Sequence, residues 1–312
     1  MLKGKRIVIT GGAGFIGSNI ARMLCCDNSV AIIDNLSTGK PENLYDVWKE
    51  IDFIQGDITE MDALRRAFQG ADYVLHLAAL PSVQRSIDDP ITSNLHNVDG
   101  TLKILVAARD YGIRRVVFSS SSAIYGDGPE HPKIETLIPK PMSPYAVTKA
   151  AGEHYCKVFN DVYGLETVSL RYFNVFGPGQ DPGSQYAAVI PKFLQSISQG
   201  RSPTIFGDGE QSRDFVYVAD VVDANALACA AEKAAGRVIN IASGKRTTLN
   251  ELAEILGEVL SKDVKPLHVD PMPGEIKHSS ADISAARELL GYEPRYDVMS
   301  GLRDMIERLK PI

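Results

Sequence analysis

The chain has no run approaching eighteen apolar residues, the length a helix needs to cross a bilayer, so no membrane-spanning segment is expected. It also lacks a basic stripe. Lys and Arg total 33 against 39 Asp and Glu, mixed along the sequence for a net charge of −6, and binding to a nucleic-acid backbone is not expected. The four cysteines (Cys25, Cys26, Cys156, Cys229) show no CxxC or His-paired spacing, and the six histidines form no HExxH or other ligand cluster. A metal centre therefore has no support, and the cysteines read as reduced. Internal repeats, low-complexity tracts and long linkers are missing as well. The first residues, MLKGKRIVITGG, pass into an apparent strand with no signal-peptide h-region, so a soluble, cytoplasmic protein is expected.

What is present is a rhythm. At 312 residues the chain can form one large α/β unit or two lobes sharing a cleft. RIVIT, VAIID, DFIQGD, DYVLHLAA, RVVFSS and TVSLRY are candidate strands, separated by amphipathic stretches such as MDALRRAFQG and DGTLKILVAARDYG. Short β-branched runs alternating with helices predict a Rossmann-type, doubly wound parallel sheet, with the dinucleotide-binding part at 1–175. After Asn174 the rhythm breaks at FGPGQDPGSQYAAV, and residues 176–213 and 243–312 are expected to form a smaller α/β substrate lobe. The segment 214–242 reads as strand, helix and strand, and is expected to rejoin the first sheet.

The first strand ends in TGGAGFIG, where Gly11, Gly14 and Gly17 precede a helix. Glycines there let the backbone turn sharply and approach a pyrophosphate, whose charge the helix N-terminus meets. Asp34 ends the second strand about 20 residues on, where a carboxylate takes the adenosine ribose hydroxyls. It would repel a 2′-phosphate, and NLSTGK after it has no arginine, although it does have Lys40, so NAD is favoured over NADP. Asp57 ends the third strand and reads either as an adenine-side contact or as the N-cap of the next helix.

Further on, SPYAVTK places Tyr145 and Lys149 four residues apart, on one face of a helix's first turns. A tyrosine near pKa 10 is a poor base at neutral pH, and the neighbouring ammonium is expected to lower that value. A surface Tyr/Lys pair has the same spacing.

TGGAGFIG, DNLSTG, GDIT, HLAA, the serine run before YG, SPYAVTK and RYFNVFGPGQ together resemble the extended short-chain dehydrogenase/reductase family, in order and over essentially the whole chain. The resemblance implies that Tyr145 is a catalytic base, that Lys149 holds the nicotinamide ribose, and that a strand-end serine completes a triad. In VVFSSSSAIYGD this serine is Ser121 first and Ser122 second; strand-end packing is the alternative for each. It also implies NAD contacts from Phe15, Ile16, Asn35, Ser37, Thr38, Gly39, Asp57, Ile58, Leu77, Ala78, Ala79, Asn97, Ser119 and Tyr172.

Dehydratases of that family resemble TDEVYG at this strand, and its decarboxylases carry a glutamate just before the tyrosine-glycine. Ser122 and Ala123 stand there instead, so elimination lacks its proton shuttle and 4-epimerisation of a UDP-hexose is what the resemblance implies. It places Asn174 and Arg213 near the diphosphate, Ala188 and Val189 near the uracil, Glu275 on the uridine ribose, and Ser82 beside the sugar. Arg213 paired with Asp214 or Asp208 is the plainer reading of that residue. Many relatives have an arginine where Met272 stands. Ser279 replaces a bulky tyrosine and leaves room for a 2-acetamido group. A homodimer is expected, through the helices after Asp89 and after Tyr145.

Overall fold

The computed structural model describes residues 2–180, 189–271 and 277–309. Its centre is a seven-stranded sheet. In chain order, β1 (Arg6–Thr10), β2 (Ser29–Asp34), β3 (Ile51–Gln55), β4 (Tyr73–His76), β5 (Arg115–Ser121) and β6 (Glu166–Tyr172) lie in the order 3-2-1-4-5-6, and Arg237–Ile241 extends the sheet beyond β6. Every pairing in it is parallel. A sheet built from crossovers is covered on both faces, so its strands are apolar at successive positions rather than alternating. Ile7, Val8 and Ile9 show this, each without solvent exposure.

Because successive side chains point to opposite faces, the sheet separates two cores. Val8, Ala31, Ile33, Val74, Val116 and Phe118 face one side. Ile7, Ile9, Ile32, Leu75, Val117 and Leu170 face the other, in a cluster continuous with Phe193, Ile197, Leu252, Leu256 and Leu302 from the C-terminal part of the chain. The apolar stripes of Val189–Ser198, Leu249–Leu260 and Val298–Leu309 thus join the core beneath the sheet rather than forming a separate one.

Segment 214–242 forms strand, helix and strand, but its two strands go to different places. Arg237–Ile241 joins β6, whereas Phe215–Tyr217 pairs in parallel with Asn174–Phe176 in a small two-stranded sheet. That small sheet begins two residues after β6 ends and carries the chain away from the large one.

Residues 90–110 run as one helical rod with a π-helical stretch, Leu95–Asp99, between the α-helical parts Pro90–Asn94 and Gly100–Asp110. The wider turn rotates His96 and Asn97 out of the ordinary helical phase, as π-bulges at functional positions do. Among the described residues no helix is long and apolar enough to cross a membrane, and no group of His, Cys, Asp or Glu side chains could hold a metal ion.

Candidate active site

The carboxyl ends of β1, β2, β4 and β5 open onto a cavity of about 690 Å³. The crevice outside the strand ends is where open α/β sheets bind ligands. Its wall includes Gly11, Gly14, Phe15, Ile16, Gly17, Asp34, Asn35, Ser37, Thr38, Ile58, Leu77, Ala78 and Ala79, and then Ser119, Ser121, Tyr145, Lys149, Tyr172, Asn174, Val189 and Arg213. One continuous space therefore runs from the glycine turn to the small sheet of Asn174–Phe176 and Phe215–Tyr217.

The glycine turn is shaped by close approach. Gly11 has φ +72°, and a Cβ on it would lie 2.7 Å from the Ala78 backbone nitrogen. A Cβ on Gly17 would lie 2.3 Å from the Gly11 carbonyl oxygen. Gly14 caps the helix Phe15–Leu24 with no side-chain acceptor, so the first N–H groups of that helix are left to the cavity. Gly17→Ala is expected to push this helix off the turn and weaken NAD retention by roughly tenfold to a hundredfold, since overpacking strain costs about 1–3 kcal/mol. Cofactor content after gel filtration measures it; wild-type content in a folded variant would contradict the expectation.

Asp34 is buried at the end of β2. One carboxylate oxygen accepts the Ala13 N–H (3.0 Å) and the other the Leu36 N–H (2.8 Å), so each keeps a lone pair for a further donor. Burial pushes its pKa up against those two bonds. The following turn places Leu36 at φ +58°, and a Cβ on Gly39 would lie 2.9 Å from the Asp34 carboxylate. Gly39 therefore makes room behind Asp34 and does not itself line the cavity. A tight cradle, open helix N–H groups and a carboxylate with spare acceptor capacity fit an adenine dinucleotide that lacks a 2′-phosphate.

Tyr145 and Lys149 are carried by the helix Pro144–Tyr163. Ser143 caps it by accepting the Ala146 N–H (3.2 Å), Pro144 sits in the first turn, and Gly164 ends it in the left-handed conformation. Ser86 Oγ accepts the Tyr145 N–H (3.0 Å) and ties the helix start to the segment after Ser82. Gly152 sets how near the helix comes to β5, because a Cβ there would lie 2.4 Å from Phe118 Cζ. Lys149 is consequently buried, with Nζ donating to the Ser119 carbonyl (2.6 Å), 5.0 Å from the Phe118 ring centre and 5.9 Å from that of Tyr145. Burial lowers its pKa to about 8. Ser121 Oγ hydrogen-bonds the Tyr145 phenol.

The phenol itself departs from the expected direction. Burial raises the Tyr145 pKa, and the bond from Ser121 only partly opposes this. Desolvation of the phenolate outweighs the ammonium because Lys149 Nζ points at the Ser119 carbonyl rather than at the phenol oxygen. Beneath them His76 bonds Thr10 Oγ1 (2.8 Å) and Thr101 Oγ1 (2.9 Å); complete burial, aided by the Lys149 charge, holds it neutral, with its pKa down to about 3. The pair seen in the sequence is thus an interior pair, and not a surface one.

Several expected residues lie elsewhere. Ser122 starts a 3₁₀ turn (Ser122–Tyr125) and does not line the cavity. Asn97 is buried, accepts the Leu80 N–H (2.8 Å), and donates to the Leu80 carbonyl and Thr148 Oγ1, so it shapes the wall from behind rather than facing the cavity. Asp57 accepts from the Thr59 N–H and hydroxyl and from Asn35 Nδ2 (2.7 Å), and it faces His96 at 3.5 Å; it closes a local turn and holds the wall from outside, and it is not the N-cap of the next helix, Met61–Phe68, which is Glu60. Ser82 caps the short helix Val83–Asp88 by accepting the Arg85 N–H, and Ser279 pairs its N–H with the Ser212 carbonyl (3.0 Å); neither lines the cavity. Ala188, Met272 and Glu275 lie outside the described residues.

Asn174 donates to the Asp214 carbonyl (3.2 Å), and Arg213 Nη1 to the carbonyls of Ser212 (3.0 Å) and Lys277 (3.4 Å). The Asp214 carboxylate instead accepts from the Ser243 N–H and hydroxyl and from the Gly244 and Ala281 N–H groups. Sequence reasoning missed the roles of Ser86, Gly152 and His76, and the cavity wall formed by Lys40, Asn43, His96, Phe173, Phe176 and Phe215. His76, Phe173 and Phe176 do lie in the motif stretches HLAA and RYFNVFGPGQ, and Lys40 ends NLSTGK, but the motifs assigned these four no place in the wall; the others stand in no pattern that separates them from ordinary core or loop residues.

Residues 7–242 match the epimerase family described as the NAD dependent epimerase/dehydratase family. A UDP-N-acetylglucosamine 4-epimerase from Methanobrevibacter ruminantium, solved with UDP-N-acetylmuramic acid, is 47% identical with a TM-score of 0.94, over 98% of this chain and 98% of that one. The UDP-glucose 4-epimerase of Thermotoga maritima, solved with UDP-glucose, is 40% identical with a TM-score of 0.91, over 97% of each chain. That of Thermus thermophilus, solved with NAD, is 37% identical with a TM-score of 0.87, over 97% of this chain and 98% of that one.

Proposed function

The chain belongs to the NAD dependent epimerase/dehydratase family, and from that premise we propose that it is a UDP-hexose 4-epimerase. Its substrates on this reading are UDP-glucose and UDP-galactose, together with UDP-GlcNAc and UDP-GalNAc. NAD is the cofactor. The observation that carries the reading is the chemistry of the cavity wall. Ser121, Tyr145 and Lys149 meet on it, and among the described residues lining it Asp34, in the dinucleotide half, is the sole carboxylate. Dehydration and decarboxylation need an acid beside the sugar, and Ser122 and Ala123 supply none.

When bound, NAD supplies a hydride acceptor and donor beside the sugar. Tyr145 takes the proton from the C4 hydroxyl and later returns it; Ser121 holds the same oxygen at hydrogen-bonding distance throughout. Lys149 places its positive charge beneath the pair and reduces the cost of the phenolate. Arg213, which lines the cavity, brings a guanidinium charge toward the diphosphate, with Asn174 beside it. Once the sugar is a 4-ketone it can turn over in the site, and reduction of its other face gives the epimer, with no net change in cofactor.

The purified protein, given no added NAD, is expected to interconvert the C4 epimers of both UDP-glucose and UDP-GlcNAc, resolved by chromatography. Ser279 lies outside the cavity lining, held against Ser212 next to the lining residue Arg213, so the larger side chain of Ser279→Tyr has to reach into the cavity to act; it is then expected to lower the acetylated activity by roughly tenfold or more and to spare UDP-glucose, in line with what one unfavourable group in a pocket costs. Equal loss on both substrates would remove Ser279 as the gate. A 4-keto or decarboxylated product would replace the epimerase reading with a dehydratase or decarboxylase.

We also propose a homodimer. Ile87, Ile91 and Leu95 are exposed beside Val147, Tyr155, Val158 and Val162 on the long helix, and the two helical segments pack side by side. Positions 147, 155, 158 and 162 share one helix face, and Ile91 is 81% exposed. A second copy covering this strip is the natural occupant, since it presents the same apolar face. Ile91→Asp with Val158→Asp should shift sedimentation from dimer to monomer, and an unchanged dimer would place the interface elsewhere.

A further inference from the structure

Behind Tyr145 and Lys149 lies a buried polar layer with no part in the reaction just described. Glu153 stands one helical turn beyond Lys149, with a side chain 6% exposed. One of its oxygens accepts from Ser120 Oγ and from Arg171 Nε (2.9 Å), the other from Arg171 Nη2 (2.7 Å). Arg171 Nη1 donates to Tyr125 Oη (2.8 Å), and that hydroxyl donates to Asn240 Oδ1 (2.7 Å). Ser120 is the middle of three serines whose outer members do separate work: the Ser119 carbonyl takes the Lys149 ammonium, and the Ser121 hydroxyl bonds the Tyr145 phenol.

We propose that Glu153 is a positioning residue for the reaction: through Ser120 it fixes the strand that holds Ser119 and Ser121, and its charge keeps Lys149 an ammonium inside an apolar wall. This rests on the reading of Tyr145 and Lys149 given above. A fork-paired carboxylate is rigid, so the strand it grips cannot slide along the helix. Its electrostatic part follows from what faces Lys149. On the same helix are Tyr145, Glu153 and Cys156; on β4 is His76; on β6 is Arg171, with Tyr172 reaching Ser119. Burial pushes the Cys156 thiol up to about 12 and His76 down to about 3, and raises the phenols of Tyr145 and Tyr172, so all four are neutral near pH 7. Glu153 is then the negative charge opposing the burial that lowers Lys149. Arg171 opposes that support, but its guanidinium is committed to Glu153 and Tyr125.

A merely structural Glu153–Arg171 pair would change stability alone. The proposal changes a titration. E153Q is expected to lower the Lys149 pKa, and with it the alkaline limb of kcat, by about one pH unit. E153D keeps the charge and should keep the limb. Because E153Q strands a buried guanidinium, E153Q/R171M, which removes both charges, is measured beside it; the downward shift should persist there and be smaller. Lys149 is read directly by NMR on ε-¹³C-lysine-labelled protein, with Lys149→Met assigning the resonance, and this needs no substrate. Folded E153Q or E153Q/R171M in which Lys149 titrates as in the wild type overturns the proposal. A wild type that shows the coupling by NMR yet interconverts no UDP-hexose overturns the epimerase reading and leaves the coupling intact.

Discussion

Tyr145→Phe is expected to lower epimer interconversion by about 10³-fold, the middle of the range that a positioned general acid or base supplies, while NAD content and thermal stability should stay at wild-type values. The substitution removes one oxygen. Phenylalanine keeps the ring against the Lys149 ammonium, and the backbone bond from Tyr145 to Ser86 is unaffected, so the helix start is preserved. What is lost is the proton acceptor of the proposed reaction and the partner of the Ser121 hydroxyl. Ser121 Oγ still accepts the Ala123 N–H, so it is not left wholly without a bond. The rate loss should therefore fall on kcat rather than on substrate affinity. A residual rate within tenfold of wild type, with NAD retained, would take the base role away from Tyr145.

The largest expected effect on stability lies away from the cavity. Arg115 opens β5 with a side chain 1% exposed. Its Nε and Nη2 pair with Glu166 (2.9 and 2.8 Å), and Nη1 reaches the carbonyls of Ala228 (2.7 Å), Cys229 (3.2 Å) and Ala231 (2.8 Å) at the end of the helix Val218–Ala230. The last carbonyls of a helix have no partner within it, and a cation there also meets the negative end of the helix dipole. Arg115→Ala should cost about 3–5 kcal/mol in urea unfolding, because buried carbonyls lose their donor and a large side chain leaves a void. Glu166→Gln should cost far less, since Glu166 is 40% exposed and water can replace the fork. Equal losses would mean that the ion pair, and not the capped helix end, carries the stability.

Much of this protein is legible in one dimension because its signals are local. β1 to β6 coincide with the β-branched runs to within a few residues, since a parallel strand covered on both faces needs apolar residues at consecutive positions. The turn of Gly11, Gly14 and Gly17 and the acid at Asp34 were readable because their spacing is set by a single strand–turn–helix unit. The helix of Tyr145 and Lys149 was readable from their four-residue spacing in SPYAVTK, and the structure adds its cap at Ser143 and its stop at Gly164.

Other features depend on chain segments meeting from a distance, and only the tertiary structure decided them. The sequence allowed Ser121 or Ser122; the sheet turns Ser121 to the phenol and puts Ser122 into the 3₁₀ turn outside the cavity. It pointed Asn97 at the cofactor, yet the π-helical stretch aims it at Leu80 and Thr148. It predicted a phenol made more acidic by its lysine, and burial reverses the direction. It gave no reason to single out Gly152, whose missing side chain brings the long helix onto Phe118, or Glu153, which grips the serine strand from behind. The sequence by itself determined the elements and the chemical groups available to the site, because propensity and short-range spacing act along the chain. The tertiary structure decided which groups touch and which way their pKa values move, because desolvation and hydrogen bonding depend on neighbours tens of residues away.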